Sequence, residues 1–320
     1  MLDVVTMGEA MVQFNACTNG PLRHVVYFEK HAAGAEANFA IGMSRLGFKA
    51  GLITRVSNDE FGKYILNLLR SEGLDVSHVK IDPEAKNGIY FIQRNYPIPG
   101  RSSVIYYRKD SAASRMSVND IDPNYIRQAK LFHLTGITPA LSESCKEASM
   151  RALDIASRSG VKISIDTNIR LSLWSKEEAK ETLIPMLSKA NIVLIEPQDA
   201  EILFGKKKPK EIADELLSMG VEVVAVKLGA EGATAYTKNE EARKPAFRVP
   251  VVDVIGAGDA FAAGFIASLM LGKSLEEALE VGNAAGALVV TVRGDFENMP
   301  SWDDLEKFLA DQRRETIILR

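Results

Sequence analysis

The segment Asp253-Val254-Ile255-Gly256-Ala257-Gly258-Asp259-Ala260-Phe261 joins two glycines, an acid and an apolar stretch that runs on to Leu271. Glycines two apart permit backbone conformations and close approaches that a Cβ would block. The amides of such a turn point outward at the positive end of a helix dipole, which makes an anion site. Asp259 falls in the first turn, where the dipole favours its charge. Three chemistries compete for the segment. One is a glycine-rich turn with an acidic helix start. A dinucleotide fingerprint fails, because Phe261 stands where G-x-G-x-x-G needs its third glycine. The third is phosphoryl transfer, in which amides stabilise charge on the moving group and Asp259 takes the proton of an attacking hydroxyl. Gly272-Lys273-Ser274 resembles the end of a Walker A loop, but Ala267 occupies the position of its first glycine. Gly272 reads instead as a helix stop, and Ser274 with Glu277 as a capping box.

These residues need a scaffold that brings them together. Leu2 to Met7, Ala50 to Val56, Leu131 to Thr135, Val161 to Asp166, Ile192 to Ile195 and Val221 to Lys227 are short apolar runs bounded by Gly, Asp, Asn or Pro. They read as buried strands. Between them, Phe39, Met43 and Leu46 fall at helical spacing before Gly47, and Phe61, Ile65 and Leu68 repeat the pattern before Gly73. The alternation predicts an α/β protein with a mostly parallel sheet flanked by helices. Residues 11–30 and 88–109 break the rhythm with strands and no helix. Ile89–Ile92 and Val104–Arg108 flank the turn signal Tyr96-Pro97-Ile98-Pro99-Gly100 and predict a hairpin. The two insertions are expected to combine into a small β-sheet lid on a single domain spanning 1–320.

Composition narrows the function. Apolar residues make up 46% and charged residues 25% of the chain, with a formal charge of −3. That balance argues against a broad nucleic-acid surface, and the run Lys206-Lys207-Lys208-Pro209-Lys210 reads as a solvated loop before a helix. Cys17 and Cys145 are too few and too far apart for a disulfide framework or a thiolate zinc site. The four histidines are scattered, without metal-ligand spacing, and His133 reads as a core residue of an apolar strand. No run reaches the ~20 apolar residues of a membrane span, and Met1-Leu2-Asp3-Val4-Val5, without a basic n-region or long apolar run, is not expected to be a signal peptide. A cytoplasmic protein without membrane partners is expected.

Two signatures then become specific. Gly256-Ala257-Gly258-Asp259, with Phe261 and Gly264-Phe265, resembles the second signature of the ribokinase-like (PfkB) carbohydrate kinases. Gly34-Ala35-Glu36-Ala37-Asn38-Phe39-Ala40 through Leu46-Gly47 resembles the first, and Val56-Ser57-Asn58-Asp59-Glu60-Phe61-Gly62 the block that follows it. The resemblance runs from Gly8 to about Phe308 and implies the ribokinase-like three-layer fold with its lid. Within the family the chain is most similar to archaeal 2-keto-3-deoxygluconate kinases. That similarity is carried by Gly8-Glu9, Tyr90, Tyr106-Tyr107-Arg108, Asp166-Thr167-Asn168-Ile169-Arg170 with Trp174, and Val292-Arg293-Gly294-Asp295. It implies transfer of the ATP γ-phosphate to the terminal primary hydroxyl of the acid sugar, with Mg2+ accompanying ATP. The resemblance also suggests a homo-oligomer. Other ribokinase-like kinases of fructose, ribose or nucleosides, and a non-catalytic sugar sensor, remain as alternatives.

The resemblance assigns roles to single residues. Asp259 corresponds to the catalytic base, and Gly256, Ala257 and Gly258 to the anion hole. Gly34, Ala35, Glu36, Asn38 and Asp295 correspond to substrate positions. An acid sugar needs a cation, and Arg binds carboxylates bidentately, so Arg108 is the main candidate, with Tyr90 and Tyr106 beside it on lid strands. Arg170 and Asn168 follow a strand at the carboxyl end of the sheet, where open α/β sheets bind ligands. Arg170 is expected to reach both substrate and phosphate. Lys227-Leu228-Gly229-Ala230-Glu231-Gly232 resembles the nucleotide-binding turn and also reads as a hairpin, and Asn283 is expected to border the adenine. Two positions depart from the family. Val254 and Ile255 stand where Thr is usual, and Glu196-Pro197-Gln198-Asp199 replaces Asn-x-x-Glu. The metal-binding side chains therefore stay unassigned, with Glu196 and Asp199 as candidates near the site.

Overall fold

The computed structural model describes the backbone of residues 1–318 and the side chains of residues 1–313. Each apolar run bounded by turn residues forms a strand, and each run with helical spacing a helix. The chain passes through β1 (Val4–Met7), β2 (Met11–Asn19), β3 (Phe28–Ala33), α1 (Ala35–Arg45), β4 (Ala50–Ser57), α2 (Glu60–Ser71) and β5 (Val79–Asp82). Next come β6 (Ile89–Arg94), β7 (Ser103–Tyr107), α3 (Pro123–Arg127), β8 (Leu131–Thr135), α4 (Glu143–Arg158), β9 (Lys162–Asp166) and α5 (Lys176–Leu187). It then forms β10 (Ile192–Ile195), α6 (Pro197–Phe204), α7 (Pro209–Ser218), β11 (Val223–Lys227), β12 (Ala233–Tyr236) and β13 (Glu241–Lys244). Helices α8 (Ala257–Met270), α9 (Leu275–Val289) and α10 (Trp302–Ile318) follow.

The large sheet has the order β13-β12-β11-β10-β9-β8-β1-β4-β5. Its pairings are parallel except for the antiparallel edge β11-β12-β13. Strand side chains alternate between two separate cores, as a sheet covered on both faces requires. Val4, Leu52 and Leu131 pack with Phe39 of α1, Ile65 of α2, Phe265 of α8 and Leu279 of α9. Val5, Ile53, Phe132 and Ile163 pack with Leu153 of α4, Leu183 of α5, Leu203 of α6 and Leu216 of α7. His133 belongs to the first face, stacked on Phe39 at 3.8 Å and hydrogen-bonded to Ser164 at 2.7 Å. The chain leaves β1 for β4 on one side and returns to β8 on the other. The crevice at the carboxyl ends of these strands is therefore a topological switch point, where such sheets bind ligands.

The two strand-rich insertions do form one small sheet, in the order β3-β2-β6-β7. β3 continues past Lys30 to Ala33 because Ala33 pairs with Met11, where β2 begins. Residues alternate across this sheet. Phe14, Phe28 and Phe91 cluster on the face away from the crevice, with Phe14 and Phe91 stacked at 5.2 Å. Gln13, Asn15, Tyr90 and Arg94 turn toward the core. The basic run before α7 is neutralised locally, since Lys206, Lys207, Lys208 and Lys210 ion-pair with Glu215, Glu201, Glu211 and Asp214. Among the described residues no helix is long and apolar enough to cross a membrane.

Candidate active site

Helices α1, after Gly34, and α8, after Gly256, begin at the crevice without a side-chain cap, as does α6 after Glu196, where Pro197 removes one amide. By contrast α2, α4, α5 and α9 are capped by Asp59, Ser142, Ser175 and Ser274. The first amides of an uncapped helix lack intrahelical partners and are available to an anion. Both glycines have conformations that side chains resist, with φ of 130° at Gly34 and 80° at Gly256. A Cβ on Gly34 would collide with the Glu9 carbonyl, and one on Gly256 with the Asp295 carbonyl. The glycines thus let the two helix starts close onto the Glu9 and Asp295 loops.

Asp259 and Asp295 meet at Asn38. The Asn38 amide donates to Asp259 Oδ2 at 2.8 Å and to Asp295 Oδ2 at 3.1 Å. The Asn38 Oδ1 is buried with no protein hydrogen-bond partner among the described residues, leaving an acceptor for a hydroxyl. Burial pushes the Asp259 carboxyl up to about 8, reinforced by the charges of Asp166 and Asp295 and opposed by Asn38 and Lys227. Burial likewise raises Asp295 to about 7, against hydrogen bonds from Tyr90 and Asn38. Two carboxyls lifted toward neutrality in one crevice are candidates for acid–base chemistry.

The cation facing Asp259 is Lys227, at the carboxyl end of β11. It is buried, bonds Asp166 at 2.6 Å and lies 3.9 Å from Glu196. Its ammonium is 3.5 Å from where a Cβ on Gly258 would stand, so it adjoins the start of α8. Burial works to lower the Lys227 pKa, but Asp166 and Glu196 outweigh it and hold the ammonium charged. Asp199 is engaged by the loop after β9, accepting from Thr167 Oγ1 at 2.6 Å and Ile169 N at 3.2 Å. From Lys227 and Gly258 a cleft of about 930 Å³ extends past Gly229, Gly232, Phe261 and Asn283. Asn283 lines it while donating to the Lys244 and Pro245 carbonyls, each at 3.1 Å, and so fixes the wall. Gly282 and Gly286 serve helix packing, because a Cβ on either would press on Phe261 or the Ala257 carbonyl.

The lid supplies the opposite wall. Tyr90 donates to Asp295 at 2.7 Å and its ring lies 5.3 Å from that of Tyr106. Arg108 sits 5.3 Å from the Tyr106 ring centre and ion-pairs with Glu9. Its Nε is buried with no hydrogen-bond partner among the described residues. Arg170 is exposed on the loop after β9, as is half-exposed Asn168, whose φ is 32°. Burial raises the Tyr106 pKa, against the nearby charges of Arg170 and Arg108, so both arginines act on one ring. Glu36 is different from its neighbours in the first signature. Its carboxyl is fully buried, takes bonds from Thr135 at 2.7 Å and Thr138 at 2.5 Å, and fills the space beside Gly8. Ala35 opens α1 beside it.

Sequence reasoning missed Glu9 as the Arg108 partner, and also Gln13, Asn15 and Arg94. Gln13 donates to Tyr90 at 2.7 Å and to Asp295, and Arg94 bonds Asp253 at 2.9 Å. A signal existed. Gln13 and Asn15 are amides two apart in the mostly apolar stretch 11–17, and therefore share a face. Buried amides on one face require partners.

Comparison with known proteins identifies the family and the fold. Residues 1–302 match the profile described as pfkB family carbohydrate kinase. The 2-dehydro-3-deoxygluconokinase of Thermoproteus tenax is 45% identical over 97% of this chain and 94% of its own. The crystal structure of 2-dehydro-3-deoxygluconokinase from Thermotoga maritima superposes with a TM-score of 0.90, at 27% identity, covering 97% of this chain and 100% of that one. A sugar kinase from Pyrococcus horikoshii in complex with ATP superposes at 0.79, with 29% identity, 95% of this chain and 97% of that one.

Proposed function

The chain belongs to the pfkB family of carbohydrate kinases, and from that premise we propose that it phosphorylates 2-keto-3-deoxy-D-gluconate with ATP. The product is 2-keto-3-deoxy-6-phosphogluconate, formed at the terminal primary hydroxyl. The observation that carries the acid-sugar reading is Arg108, a buried guanidinium with an unpartnered Nε on the wall linked through Tyr106 and Tyr90 to Asp295. A cation so placed suits a carboxylate, and a neutral sugar would leave its remaining donor unmet. Arg170 adds positive charge from the core side. The relative from Thermoproteus tenax, named for this activity, supports the same substrate.

In this reading Asn38 and Asp295 orient the sugar hydroxyls beside Asp259. The Asp259 carboxylate takes the proton of the terminal hydroxyl as its oxygen attacks the γ-phosphorus and the bond to the bridging oxygen of ADP breaks. The amides of Ala257, Gly258 and Asp259 face the charge that develops on the transferring group. Lys227 brings a positive charge to the same helix start. The long cleft along Gly229, Gly232 and Asn283 accommodates the nucleoside. Magnesium would offset the phosphate charge. Arriving with ATP, it would be held largely by the nucleotide phosphates. A seated lid excludes water, the competing acceptor. The half-exposed aromatic face of the lid, with Tyr107 63% exposed, supports self-association.

One observation favours a second reading, a fructokinase or ribokinase type acting on a neutral sugar. Glu9 already pairs with Arg108 and neutralises part of its charge. Steady-state ATP turnover across acid and neutral sugars separates the two. Saturation by keto-deoxygluconate at the lowest concentration is expected. Saturation by fructose or ribose below that concentration would overturn the acid-sugar reading.

A further inference from the structure

Arg94 stands on lid strand β6, yet its guanidinium is buried against the segment that leads into the Gly256–Gly258 turn. Its Nη2 donates to Asp253 Oδ2 at 2.9 Å and its Nη1 to the Val252 carbonyl at 3.2 Å. Its Nε donates to Asn15 Oδ1 at 2.8 Å, and Asn15 Nδ2 also reaches Asp253 Oδ2, at 3.2 Å. The pair is closed off from solvent, with side-chain exposures of 8% for Arg94 and 2% for Asp253. The other oxygen of Asp253 accepts from the Ile255 amide at 3.4 Å, immediately before Gly256. One fork of the guanidinium therefore grips the foot of the turn, while the other is held by the neighbouring lid strand.

The network does not stop there. Asn15 Nδ2 donates to Gln13 Oε1 at 3.1 Å, and Gln13 donates to Asp295, which shares the Asn38 amide with Asp259. Residues of β2 and β6 thus touch both the turn and the neighbour of the base. A buried ion pair contributes little net stability relative to apolar residues of the same size. What it does supply is geometry, because a planar, forked donor fixes direction as well as distance.

We propose that Arg94 is a positioning residue for phosphoryl transfer: from the seated lid it holds Asp253, and through it the Gly256–Gly258 turn, in the orientation that receives the transferring group. Lid seating and completion of the anion site are then one event, since a displaced lid removes the guanidinium from the turn. The proposal rests on the reading of that turn as the anion hole.

The test uses the full chain with Arg94→Met, Arg94→Lys and the double variant Arg94→Met/Asp253→Asn. All are assayed with whichever sugar supports the best wild-type turnover. Arg94→Met leaves Asp253 buried and unpaired, so loss of folding in that variant is read through the other two. The double variant removes both charges and is expected to keep a thermal midpoint near that of wild type. Its kcat is expected to fall roughly 30-fold or more with sugar KM changed less than about threefold, since an interaction made for the transition state is lost. Arg94→Lys, which keeps the charge without the fork, is expected to fall between. Recovery of kcat to within about threefold of wild type in the folded double variant would show a merely structural pair and overturn the proposal. So would native kcat in either single variant. Wild-type turnover of a neutral sugar alone would refute the substrate reading instead, and leaves this comparison intact.

Discussion

Replacing Asp295 by Asn should move the pH dependence of catalysis to lower pH. As the proposed base, Asp259 must be ionised to accept a proton, and its carboxyl is raised to about 8 by burial first, with Asp166 and Asp295 adding to it. The free enzyme at pH 7 then carries the ionised base in about a tenth of its molecules, and kcat/KM climbs roughly tenfold per pH unit below that value. Asp259 and Asp295 both bond the Asn38 nitrogen, at 2.8 and 3.1 Å. Their oxygens are therefore on the order of 6 Å apart, worth roughly 3 kcal/mol between two charges at an effective dielectric of about 20. That corresponds to about two pH units. Asparagine keeps the shape and the acceptor for Asn38 but removes the charge. The acid limb of kcat/KM should shift from near 8 to about 6–7, whatever happens to its plateau height. The assay is kcat/KM from pH 5 to 10 by coupled ADP release, wild type beside variant. A limb that stays in place would refute the electrostatic coupling between the two carboxyls.

Other expectations concern single residues. Asp259→Asn should keep the fold and sugar binding, measured by circular dichroism and calorimetry, while turnover falls on the order of 10²–10⁴-fold. Arg108→Met should raise KM for keto-deoxygluconate at least tenfold, a loss of ~1.4 kcal/mol or more, and leave KM for a neutral sugar nearly unchanged. His133 is lowered to about 3 by burial, with Lys227 adding to it. Between that value and the unfolded 6.5 the unfolded chain binds a proton that the folded chain refuses, so stability falls as pH drops. At pH 5 the loss is about 2 kcal/mol. Urea unfolding of His133→Leu at pH 5 and pH 8 should show this pH-dependent part gone, whatever constant penalty the variant carries.

Much of the scaffold was legible because it rests on local patterns. The strands at Leu131–Thr135 and Ile192–Ile195, the glycine stops at Gly47 and Gly272, and the Ser274 capping box follow from burial, φ and side-chain reach within a few residues. The small sheet was readable as two separate stretches of alternating residues. Its pairing of β2 with β6 was not, since parallel neighbours distant in sequence leave no local trace. The same limit applied to the site. Asp259, Asn38 and the glycine turn sit in segments whose composition reveals them. Contacts such as Arg94 with Asp253, Glu9 with Arg108 and Gln13 with Asp295 join segments far apart in the chain. Glu36 shows the converse. Its place in a recognisable segment suggested a sugar contact, but Thr135 at the end of β8 and Thr138 in the turn beyond it occupy one of its oxygens.

The central claim is that Asp259 directs the ATP γ-phosphate onto the terminal hydroxyl of an acid sugar. Phosphorus–proton correlated NMR of the product made from keto-deoxygluconate, Mg2+ and ATP tests it directly. The account predicts one new phosphate monoester, coupled to the protons of the terminal methylene carbon. A phosphate on any other oxygen, or ADP formed without a sugar phosphate, would contradict it.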